Sequence, residues 1–113
     1  MSEGDRHVVS LAGFILLRAQ RLDVFLTMAS RPMRKKEIVS LLVEGHGMKP
    51  DSARRFAERF LAWLVENGLA KAEAVASSGK VAVVWRLTPK GELVRRIVEA
   101  SVDALPAPME VEA

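Results

Sequence analysis

Cysteine is absent from the 113 residues, which excludes a disulfide framework and thiolate metal sites and suits a reducing cytosol. Amides are scarce too. Asn67 is the only asparagine and Gln20 the only glutamine. Few thermolabile amides beside many charges suit a thermophilic source. No apolar run reaches the roughly 18 residues needed to span a bilayer. The greasiest stretch, "VVSLAGFILL" (Val8 to Leu17), is closed by Arg18. "MSEGDRH" before it is no basic leader, and "RAQRLD" after it is no small-residue cleavage site. A cytoplasmic protein without a membrane partner is therefore expected. His7 and His46 are the only histidines, far apart and without ligands at metal spacing, so no metal site is expected. Neither a nucleophile motif nor a Gly-rich phosphate loop after a strand is found, and no catalytic residue or cofactor is assigned. The chain does not read as an enzyme.

What is there is an apolar half that can fold one domain with one modest core. The formal charge is only +3, but residues 31–60 hold roughly eight basic and four acidic groups while the rest balances or leans acidic. Such a basic block suggests a surface for an anionic partner.

"HVVSLAGFILLRAQRLDVFLTMAS" predicts one long helix or two joined ones over residues 7–30, after a flexible residues 1–6. Leu22, Phe25, Leu26 and Ala29 share one face, opposite Arg21 and Asp23. The first half is apolar nearly all round, so it is either a core helix or one half buried in a second subunit. The second alternative makes Val8, Leu11, Phe14, Ile15 and Leu17 the candidates for a homodimer contact. Pro32 breaks this segment. A second helix follows through Ile38, Leu41 and Leu42, with Gly45 as its stop. After the turn "HGMKP", Pro50 and Asp51 open a third helix that Gly68 ends. Its inner face is expected at Ala53, Phe56, Ala57, Phe60 and Leu64, with Leu61 and Trp63 at the margins. Phe56, Phe60 and Trp63 thus read as core rather than as a base-stacking platform.

"LAKAEAVA" and "KVAVVWRLT", joined by "SSG", predict a β-hairpin. Val83 and Trp85 are expected to face the helices. Thr88 can cap a last helix and Pro89 suits its first position, so strand passes to helix with almost no loop. That helix should run to about Leu105, leaving residues 106–113 as an acidic flexible tail. The fold class is mainly α with a small β-hairpin.

"LVENGLAKAEAVASSGKVAVVWRLTPKGELV" resembles the winged-helix (winged helix-turn-helix) superfamily. It is similar to small prokaryotic, particularly archaeal, regulators in which an "ENGL" helix end leads into a hairpin ending "RLTPKG". The likeness covers roughly residues 20 to 100. It implies a domain over residues 7–105 that binds double-stranded DNA, with the third helix in the major groove and the hairpin wing on the backbone. On that reading Arg55 and Arg59, one turn apart, would reach bases, since arginine bonds guanine bidentately. Ser52 and Arg54 would take phosphates beside the groove, and Arg34, Lys35 and Lys36 would lie where the second helix crosses the backbone. Ser78, Gly79 and Lys80 would supply the wing tip. Glu58 departs from the pattern, because a carboxylate facing DNA needs a cationic partner or a cytosine amino group. A transcriptional regulator is the expected function. The alternative is a winged helix used as a protein-interaction module, since fold does not decide function.

Overall fold

The structure, a computed structural model, describes residues 2–104. The tail assigned to residues 106–113 lies outside the described residues. Seven elements follow one another: α1 (Glu3–Leu16), α2 (Ala19–Ser30), α3 (Lys35–His46), α4 (Pro50–Glu66), β1 (Ala70–Ser77), β2 (Lys80–Leu87) and α5 (Pro89–Ala104). This is a mainly α chain with one small antiparallel hairpin.

The N-terminal segment is two helices. At 3.6 residues per turn, Val24 in a continuous helix would lie on the side opposite Ile15. Both are fully buried, so the chain must be re-aimed between them. It does so at Arg18, whose φ of −137° and ψ of 133° are extended. α1 buries Val8, Leu11, Ala12 and Ile15, and α2 buries Val24, Phe25 and Met28. Each helix therefore has its own apolar stripe, and the buried face of α2 centres on Val24 and Phe25, with Leu22 and Leu26 at its edge. Arg21 pins the elbow: its guanidinium lies 3.7 Å from the Phe14 ring centroid and donates to the Phe14 carbonyl at 2.9 Å. α1 also starts earlier than expected. Ser2 Oγ accepts from the Asp5 backbone N–H at 3.2 Å, a capping box that draws residues 3–6 into the helix.

α3 ends at Gly47 rather than Gly45. Gly47 takes a φ of 65°, while the Met48 and Gly47 N–H groups donate to the Leu42 and Val43 carbonyls. This is the left-handed stop that satisfies the last carbonyls of a helix. Gly45 sits inside the last turn. Pro50 then opens α4, which buries Ala53, Ala57, Phe60, Leu61 and Leu64. Phe56, expected on the inner face, is only half-buried, and Leu61 takes its place in the core.

β1 and β2 pair from Ala70↔Leu87 to Ser77↔Lys80, around Ser78 and Gly79 with φ of 51° and 76°. Two positive φ values define the two-residue turn that matches strand twist. Met33, between α2 and α3, exchanges backbone hydrogen bonds with Trp85 at 2.9 and 2.8 Å, extending the sheet by one bridge. Trp85 and Leu87 are half-buried over the helices, but Val83 is 45% exposed. The expectation for Val83 fails because the hairpin has left the helical body by that point.

The passage from β2 to α5 is tight for identifiable reasons. Thr88 Oγ1 accepts from the Gly91 N–H at 3.0 Å and donates to the Gly68 carbonyl. The Thr88 N–H donates to the Leu69 carbonyl at 3.0 Å. Gly91 lies so close to Leu69 that a Cβ there would sit 2.1 Å from its carbonyl oxygen. α5 buries Val94 and Val98, packs along α1, and completes the core.

Candidate nucleic-acid interface

α4 presents two flanks that the sequence alone does not separate. Toward α3 stand Arg54 and Glu58, and both are engaged. Arg54 pairs with Asp51 one turn earlier, and Glu58 accepts from Lys35 Nζ at 2.5 Å across to α3. Glu58 thus finds its cation on α3 rather than among the arginines of its own helix. Hydrogen bonding from Lys35, then its charge, hold the Glu58 carboxyl below the usual range. Two of the candidate phosphate contacts, Lys35 and Arg54, are therefore already neutralised by acids.

The other flank carries Ser52, Arg55 and Arg59. All three are exposed, and neither arginine has a carboxylate partner among the described residues. They form one wall of a groove of about 600 Å³ whose other wall is the α1–α2 elbow, with Phe14, Arg18 and Arg21. Its floor is aromatic. Phe14 and Trp63 stack with ring centroids 4.3 Å apart, and Phe60 lies 5.9 Å from Trp63 at an interplanar angle of 11°. Four arginines and no acid line this groove. Burial, and then the Arg18 charge, lower the pKa of Arg21, so its charged form is disfavoured where it stands.

The remaining candidates lie apart. Lys36 is exposed at the first turn of α3, where with Lys35, Val39, Ser40, Pro50 and Arg54 it lines a shallow cleft between α3 and α4. Arg34 is half-buried as the residue before α3, and its backbone N–H donates to Glu37 Oε1 at 3.0 Å. Glu37 also accepts from Arg31 Nη1 at 2.6 Å. Ser78, Gly79 and Lys80 stand exposed at the hairpin tip. Beside them Val81 is 73% exposed, and Val75 and Val83 are exposed as well, so the outer hairpin is apolar with a single cation.

The proposed dimer residues scatter. Val8, Leu11 and Ile15 are buried in the chain's own core and cannot face a second subunit. Phe14 is half-buried against Trp63, and only Leu17 of the five is exposed. The expectation fails for Val8, Leu11 and Ile15 because α1 turns them inward against α2 and α5, which leaves Val9 and Leu17 outside.

Sequence reasoning missed Arg18 and Arg21 as site residues. Their spacing of three within "RAQR" is a usable sign of a shared face, but their meeting with Arg55 and Arg59 is a tertiary fact. Among the described residues no three His, Cys, Asp or Glu side chains converge to hold a metal ion. His46 instead bonds Asp23 at 2.8 Å, and His7 lies 3.1 Å from Lys90 Nζ. No helix is long and apolar enough to cross a membrane, among the same residues. In comparison with known proteins, the chain matches no protein-family model and no curated protein.

Proposed function

We propose that the chain is a winged-helix protein that binds double-stranded DNA and regulates transcription, in the cytoplasm and without catalytic activity of its own. The observation that carries the reading is the pair Arg55 and Arg59, one turn apart on the exposed flank of α4 and free of acidic partners among the described residues. Two further features support it. α3 and α4 are joined by a three-residue turn at Gly47, as in a helix-turn-helix, and a β-hairpin follows them directly. In this reading α4 enters the major groove, Arg55 and Arg59 reach base edges, and Ser52, Lys36 and Arg34 meet phosphates. The homodimer enters it through the exposed Val9 of α1 and Leu17 at its C-terminal cap, and not through Val8, Leu11 and Ile15. A gel-shift titration of a mixed-sequence duplex at two salt concentrations is the test. Affinity should fall steeply with salt as counterions are released. A salt-insensitive or absent interaction overturns the reading.

One observation favours a second reading, a protein-interaction module. Val75, Val81 and Val83 are exposed along a hairpin whose outer half carries only Lys80, a surface better suited to an apolar partner than to phosphate.

A further inference from the structure

We infer that the groove between α4 and the α1–α2 elbow is a binding site for a small planar aromatic carboxylate. Three properties of the groove point to such a ligand. The first is its floor, where Phe56 and Trp63 pack against the core yet keep part of their ring surface open to the groove. Aromatic surface left open in a concavity is covered best by another flat ring, stacked or edge-on. The second is charge. Arg18, Arg21, Arg55 and Arg59 converge from two elements, and no carboxylate lines the groove. Arg21 uses one N–H on the Phe14 carbonyl and has no acidic partner among the described residues. An arginine fork matches a carboxylate bidentately. Arg21, whose charged form burial and the Arg18 charge disfavour, gains from an anion placed in the groove beside it. The third is size. About 600 Å³ lies within the range of small-molecule sites, roughly 300–1,000 Å³. A duplex phosphate would satisfy the arginines but would leave the aromatic floor uncovered.

The site goes beyond DNA binding and does not depend on it, since Arg18 and Arg21 belong to the elbow. Arg55 and Arg59 serve both, so carboxylate and DNA would compete; that coupling alone rests on the proposed function.

The test is calorimetric titration of the full, DNA-free chain with three probes: 2-naphthoate, its neutral counterpart 2-naphthalenemethanol, and inorganic phosphate. Naphthoate should bind one to one, at least about tenfold more tightly than either of the others. Arg18→Ala should weaken naphthoate binding about tenfold, the loss expected for one charge-assisted contact. Arg18 is exposed and makes no side-chain cap, so its melting temperature should be unchanged, and this is checked in parallel. The inference is overturned if naphthoate fails to bind, if the neutral alcohol or phosphate binds as tightly, or if Arg18→Ala binds naphthoate like the parent. Naphthoate binding by a chain that ignores DNA would support this site while sinking the DNA reading.

Discussion

Lys35 on α3 and Glu58 on α4 meet at 2.5 Å, so the acid that looks misplaced among the arginines of α4 is the partner of a lysine one helix away. The pair links α3 to α4 and removes one positive charge from the surface. Both side chains are substantially exposed, so its contribution to folding is small. In the proposed DNA-binding reading its weight falls on affinity.

Glu58→Gln should therefore strengthen DNA binding and steepen its salt dependence by about one, because Lys35 becomes free to meet phosphate. Arg55→Ala or Arg59→Ala should cost about 1–3 kcal/mol of DNA affinity, and Arg54→Ala, already paired, clearly less. Gel shifts at two salt concentrations rank the four variants. Equal losses at Arg54 and Arg55 would contradict the division of α4 into a paired and a free flank.

On α1, Ile15→Ala should destabilise the domain by about 2–5 kcal/mol, since the side chain is fully buried. Leu17→Asp should change stability by less than about 0.5 kcal/mol. If two chains join through α1, sedimentation should find Leu17→Asp monomeric. A dimer that survives this change must be built elsewhere.

Gly91→Ala should cost about 1–3 kcal/mol, because the added methyl meets a backbone oxygen rather than a side chain that can turn away. Thermal melts would check this. An unchanged midpoint would mean that the β2–α5 junction relaxes freely.

Lys80→Ala should leave the melting temperature nearly unchanged, since the tip is exposed on all sides. It should lower the salt slope of DNA binding by about one if the wing touches phosphate. Unaltered slope and affinity would remove the wing from the interface and strengthen the protein-partner reading.

Glu37 sets a pH dependence. The Arg34 backbone N–H, then the Arg31 guanidinium, stabilise its ionised form and lower its pKa below the ordinary value. A depressed folded pKa gives stability above the unfolded value, about 4.3, that is lost as pH falls through the folded one. Glu37→Gln should therefore be less stable than the parent at about pH 7, with the gap closing toward about pH 3. Urea midpoints measured at both pH values test the sign.

Much of the fold was legible because local chemistry writes it. Pro50, Thr88 and Pro89 mark helix starts, and Ser78 and Gly79 the hairpin turn, through backbone rules that need no partner. The elbow at Arg18 has no proline or glycine to announce it. Only the clash of phase between Ile15 and Val24 reveals it, and that phase is visible only once both are known to be buried. The candidate site was legible in part for the same reason. Arg55 and Arg59 follow from a helical wheel, whereas the pairing of Lys35 with Glu58 and the convergence with Arg18 and Arg21 depend on how helices cross.

The bridge between Met33 and Trp85 has a kinetic consequence. Its partners are separated in sequence by the whole of α3, α4 and β1, so it cannot close until the helical body has collapsed, whereas the Ser78–Gly79 turn needs only its neighbours. The hairpin should therefore nucleate at its tip and be anchored late at its base. Under native conditions the order reverses: amide hydrogens near Lys80 should exchange quickly by local fraying, and those of Met33 and Trp85 only on much larger openings. A hairpin built this way can flex at its end without loosening its root.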